Sequence, residues 1–78
     1  MLKLRDGWQA FTPHEGCSTY LYPPDTDLTG LDFYVDMDFD VVAYLHGDAR
    51  YCRVFDTIEE AHAYLVENGS ESPWEVTP

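Results

Sequence analysis

Positive charge is scarce in this chain of 78 residues. Four basic residues, Lys3, Arg5, Arg50 and Arg53, stand against fifteen acidic ones, for a net charge of −11. No Lys or Arg lies between Asp6 and Asp48, and none follows Arg53. Nucleic acids and anionic membranes both need positive surface to bind, so direct contact with either is disfavoured. A basic partner is favoured by the same argument, although acidity also serves solubility alone.

Cysteine is scarce as well. Cys17 and Cys52 lie far apart, and a disulfide between them would need the fold to bring them together. No apolar run approaches the ~18 residues of a membrane span, and no secretory apolar segment follows "MLKLRDGW". The expectation is a cytoplasmic protein with reduced thiols. There is no glycine-rich phosphate loop and no G-x-S-x-G elbow. Nothing singles out one carboxylate for acid–base work. Neither an enzyme nor a cofactor is expected.

Aromatic residues are plentiful: two Trp, six Tyr and four Phe. A chain this short buries only ~60% of its unfolded surface. Aromatic side chains, at ~150–250 Å² each, then carry much of the core. The length implies one domain, residues 1–78.

Local patterns sketch a fold. "LKLR" alternates, placing Leu2 and Leu4 inward and Lys3 and Arg5 outward. "GWQAFTP" and "CSTYLYP" flank the turn-like "PHEG" (13–16) and predict a hairpin. "PPDTDLTG" (23–30) is a loop, and "HGDA" (46–49) turns the chain into a returning strand, "RYCRVF". "DTIEEAHAYLVENG" is the one clear helix. Asp56 is its expected N-cap with Glu59 three residues on, and Asn68-Gly69 its stop. Ile58, Ala61, His62 and Leu65 form its apolar face. Residues 70–78 read as a flexible tail in which Trp74 or Val76 adds a short edge contact. The predicted fold is α+β: a three- to four-stranded antiparallel sheet with one helix packed on one face.

The stretch "LDFYVDMDFDVVAYLH" (31–46) carries the functional expectation. Leu31, Phe33, Val35, Met37, Phe39, Val41, Ala43 and Leu45 occupy every second position. Asp32, Tyr34, Asp36, Asp38, Asp40 and Tyr44 fall among the others. One phase over sixteen residues predicts one bent strand, or two segments joined by a short kink. Same-face neighbours then lie ~6.6–6.8 Å apart, and each carboxylate pair repels by ~0.6 kcal/mol in water. Two outcomes are open. If Lys3/Arg5 or Arg50/Arg53 neutralise the row from an adjacent strand, it is a surface charge ladder. If they do not, it is an array of negative charge resembling a phosphate row, with Tyr34 and Tyr44 supplying contact area. Glu59, Glu60 and Glu67 on the helix form a second candidate face.

No metal site is expected. "DMDFD" begins like a calcium loop, but Val41 stands where glycine is required and Gly47 where the closing Glu belongs. His14, Cys17, Cys52 and His62 match no zinc spacing.

The whole-chain profile — short, strongly acidic, α+β, without a catalytic motif — resembles the small anti-CRISPR proteins of phages and mobile elements. That resemblance implies an inhibitor in the cytoplasm of a bacterial host. It would bind the basic nucleic-acid-binding surface of a CRISPR effector complex, of type I, and block target DNA recognition. The implied binding residues are Asp32, Tyr34, Asp36, Asp38, Asp40, Tyr44, Glu59 and Glu60. A more local likeness, "GWQAFTPHEGCSTYLYP" followed by "FDTIEEAHAYL", is similar to antitoxins of the HicB type, and implies instead an antitoxin or immunity protein neutralising a toxin. A domain without mimicry is the third reading. An exposed strand edge would also allow a homodimer.

Overall fold

The computed structural model describes residues 1–13, 18–28 and 30–77. In chain order the elements are β1 (Leu2–Leu4), β2 (Gln9–Phe11), β3 (Thr19–Tyr22), β4 (Val35–Met37), β5 (Val41–Tyr44), β6 (Cys52–Phe55), α1 (Ile58–Glu67) and β7 (Trp74–Val76). Strands β2 to β6 form a five-stranded antiparallel meander in sequence order. β1 and β7 form a separate antiparallel pair. The protein is α+β with one helix, but its main sheet has five strands, not the expected three to four.

The difference arises within residues 31–46. β4 and β5 are two arms of a hairpin, with Val35 opposite Ala43, Asp36 opposite Val42 and Met37 opposite Val41. Asp38, Phe39 and Asp40 make the turn, where the Asp38 N–H donates to the Asp40 carbonyl (3.0 Å). The connection is three residues long, so paired positions keep the same parity. The alternation therefore runs through the turn without a phase change, and periodicity cannot reveal the reversal. Phe39, expected on the apolar face, is 97% exposed at the tip. Leu31, expected on that face too, is 82% exposed.

The helix packs on the face carrying Leu21, Val35, Val41 and Ala43, through Ala61 and Leu65. Ile58 and His62 are half-buried at the margin of that contact. Its N-cap is Thr57, not Asp56. The Thr57 hydroxyl oxygen accepts from the Glu60 N–H (3.2 Å), and that hydroxyl also lies 3.1 Å from Glu60 Oε1. The cap is thus one residue later than the sequence suggests, with the Glu60 carboxylate hydrogen-bonded to the Thr57 hydroxyl. At the other end Gly69 has φ +74°, Ser70 N–H donates to Leu65 O, and Gly69 N–H to Val66 O. This is the left-handed glycine stop expected of Asn68-Gly69.

Residues 70–77 are packed and not a free tail. Ser70, Ser72, Pro73 and Trp74 are buried, and Trp74 belongs to the main core. β7 pairs with β1, placing Lys3 opposite Glu75 with an Nζ–Oε1 distance of 3.1 Å. Leu2 and Leu4 turn toward the core, as their alternation predicts. Ser72 Oγ lies 2.7 Å from His62 Nδ1 and accepts from the Trp74 N–H (3.3 Å), tying this segment to the helix.

Candidate functional site

With the helix on one side of the sheet, the alternation sends Tyr20, Tyr22, Asp36, Val42 and Tyr44 to the other. Asp36 stands opposite both Tyr20 on β3 and Val42 on β5. Leu28, Gly30, Leu31 and Phe33 lie against this face. The Tyr22 hydroxyl donates to Gly30 O (3.0 Å) and Leu28 O (3.3 Å), pinning that loop. Phe33 lies against Tyr20, Tyr22 and Tyr44, with ring centroids 4.6, 5.8 and 5.2 Å apart.

Phe33 and Tyr34 exchange their expected sides. Strict alternation puts Phe33 with Val35 on the helix side and Tyr34 with Asp36. The chain is not yet in a regular strand before Val35, so the parity slips. Tyr34 instead packs edge-on against Trp8, at 5.3 Å and 87°, and abuts Gly47. Gly47 has φ +69°, and a Cβ there would sit 3.0 Å from the Tyr34 ring, so glycine serves both the turn and the contact.

A cleft of about 400 Å³ opens between these aromatics. Phe11, Tyr20, Tyr22 and Phe33 line it, Leu31 forms part of its rim, and Asp36 is its one carboxylate among the described residues. Asp36 also lines a neighbouring hollow of about 230 Å³ with Asp38, Phe39 and Asp40. Among the described residues, Asp36 Oδ1 is buried without a hydrogen-bond partner. An enclosed carboxylate oxygen lacking a donor is energetically unfavourable, and native proteins seldom keep one without a reason.

The basic residues do not relieve it. Lys3 pairs with Glu75, and Arg50 with Asp48 at 2.8 Å. Arg5 donates to the Ser72 carbonyl (3.2 Å), and Arg53 lies over the Tyr64 ring. Among the described residues, Asp36, Asp38 and Asp40 form no ion pair. The charge-ladder outcome is therefore overturned, and the regular-array outcome is only half met. Asp38 and Asp40 sit in a turn, so the carboxylates wrap around a hairpin end and do not form a straight row on one strand.

The predicted site residues divide into three places. Asp36, Asp38, Asp40 and Tyr44 belong to the open face and hairpin tip. Asp32 and Tyr34 line a different hollow, with Asp25, Asp27 and His46. Glu59 and Glu60 are exposed in the first turn of α1, where Glu60 is engaged with Thr57. Tyr44 has its pKa raised, first by burial and next by the charge of Asp36. Burial also raises the pKa of Tyr22, and of Tyr34, with the charge of Glu71 adding to the latter. Phe11, Tyr20, Tyr22 and Phe33 were not anticipated. The signal for two of them is the alternation in "TYLY", where Leu21 must face the helix and both tyrosines must face away.

Among the described residues, no three His, Cys, Asp or Glu side chains are grouped to hold a metal ion. Cys52 is a free, exposed thiol on β6, while His14 and Cys17, with most of the predicted "PHEG" turn, lie outside the described residues. Among the described residues no helix is long and apolar enough to cross a membrane. No protein-family model matches the chain, and neither curated proteins nor solved structures give a significant match.

Proposed function

We propose that this protein is a binding protein whose open sheet face docks on a basic surface. The partner is the nucleic-acid-binding surface of a CRISPR effector complex of type I, and docking blocks target DNA recognition. The observation that supports this best is the set of Asp36, Asp38 and Asp40 beside half-buried aromatic rings and the exposed Phe39, with all four Lys and Arg side chains engaged elsewhere. Charge of one sign steers the encounter, and buried aromatic contact holds it. Phe39, projecting from the hairpin tip between two carboxylates, supplies an apolar anchor. The hairpin geometry favours steric and electrostatic occupation of the partner's channel over a copy of phosphate spacing. Glu59 and Glu60, on the helix, form a separate surface.

The test is size-exclusion co-elution with a purified type I effector complex at low and high salt. Wild type should co-elute at low salt and separate at high salt. A variant with Asp36, Asp38 and Asp40 all changed to Asn should separate at both. Co-elution untouched by salt and by the variant would move the site off this face. Failure of the wild type to co-elute at low salt would remove this partner and leave a toxin as the next to try.

A further inference from the structure

We infer that the aromatic cleft beside Asp36 is a receptor for one arginine side chain of a protein partner. The cleft combines two features that a plain hydrophobic groove lacks. Its walls are aromatic rings, whose faces attract a cation. Among the described residues its one carboxylate belongs to Asp36, which has an oxygen buried without a hydrogen-bond donor among them. The negative charge is shared over both carboxylate oxygens. A cation reaching Asp36 from the cleft therefore offsets the charge that the protein leaves uncompensated.

Guanidinium fits these walls better than ammonium. It is planar, weakly hydrated, and donates while its face stacks on a ring. Tyr20 and Phe33 are stacked on each other, 4.6 Å apart and 30° from parallel, so it is the outer side of this pair that lines the cleft. A lysine ammonium would lose more hydration on entering a site lined by four aromatic side chains together with Pro13, Leu28 and Leu31. A volume of about 400 Å³ accommodates such a side chain with its alkyl stem along the exposed Leu31. The loop that forms the rim is held by the Tyr22 hydroxyl, so the cleft is formed before anything enters it. This deepens the function proposed above, on which it rests only in taking the arginine to be a protein's.

The probe is Nα-acetyl-arginine methylamide, titrated into the labelled full chain and followed by NMR. Saturable shifts are expected at Phe11, Tyr20, Tyr22, Phe33 and Asp36, with a Kd of about 1–10 mM, as suits a single side chain. The citrulline analogue has nearly the same shape without the charge, and should bind at least about tenfold more weakly. Asp36→Asn should weaken the arginine probe by a similar factor while keeping its dispersed spectrum. Phe33→Leu, with Asp36 intact, should also weaken it. Nα-acetyl-lysine methylamide, with its ammonium free, should bind more weakly than the arginine probe. Absence of saturable shifts, equal binding of the citrulline analogue, or indifference to Asp36→Asn would each overturn the inference. Probe binding without effector co-elution would overturn the effector as partner and leave the cleft standing. Co-elution without probe binding would do the reverse.

Discussion

Tyr20 and Asp36 stand directly opposite each other on β3 and β4, so a phenol ring and a carboxylate share the wall of one cleft. Asp36 Oδ1 finds no donor there among the described residues. Its charge raises the pKa of Tyr44 on the same face, though less than burial does. A carboxylate oxygen held this way adds no hydrogen bond to the fold. Asp36→Asn should therefore leave stability unchanged, or raise it by up to about 1 kcal/mol as repulsion from Asp38 and Asp40 is relieved. Urea unfolding measures this. A loss above about 1 kcal/mol would mean that the carboxylate is a structural acceptor.

Phe39 is solvated at the hairpin tip. Phe39→Ser should change stability by less than about 0.5 kcal/mol, the usual range for an exposed position. The same substitution should weaken binding to the basic partner by at least about tenfold, because a central aromatic anchor is lost. Thermal unfolding and co-elution, run on the same preparation, separate the two effects.

The helix cap offers a test of local structure. Thr57→Ala removes the acceptor for the Glu60 N–H and should cost about 1 kcal/mol. Asp56→Ala should cost much less, since Thr57 is the residue that caps. Equal losses from the two would place the helix start one residue earlier.

His62 gives the fold a pH dependence of known sign. Burial lowers its pKa below the ordinary 6.5. The folded state then binds the proton less readily than the unfolded chain. Its contribution is present above about pH 6.5 and is lost as pH falls through the folded pKa. His62→Asn cannot take up that proton. The difference in Tm between wild type and this variant should shift against wild type from about pH 7.5 to about pH 5.5. A constant difference would show that His62 titrates normally.

Some of this was written plainly in the sequence, for physical reasons that can be named. The helix declares itself because Ala61 and Leu65 follow its period and Asn68-Gly69 ends it. The β2–β3 pair and β1 declare themselves by alternation. The hairpin at Asp38–Asp40 is hidden by arithmetic, since a three-residue connection preserves parity and "DFD" contains no Gly, Pro or Asn; its two aspartates are turn formers, but at alternate positions they also read as the polar side of a strand. The pairing of β1 with β7 joins Leu2 to Val76, a contact between distant segments that no local pattern encodes. The acidic character of the candidate face was legible, because Asp36, Asp38 and Asp40 are simply counted. Its aromatic half was legible only in part: Tyr44 and the two tyrosines of "TYLY" follow the alternation, whereas Phe33 leaves the phase of the strand that follows it.

The central claim is that the face carrying Asp36, Asp38, Phe39 and Asp40 occupies a DNA-binding surface. Competition measures it most directly: a labelled target DNA is titrated with a type I effector complex at low salt in the presence of this protein. The account predicts that wild type displaces the DNA, that the Asp36/Asp38/Asp40→Asn variant does so at least about tenfold less well, and that Glu59→Gln with Glu60→Gln matches wild type. Displacement lost with the helix variant and retained by the hairpin variant would contradict it, as would an effector complex that binds its DNA equally well with or without the protein.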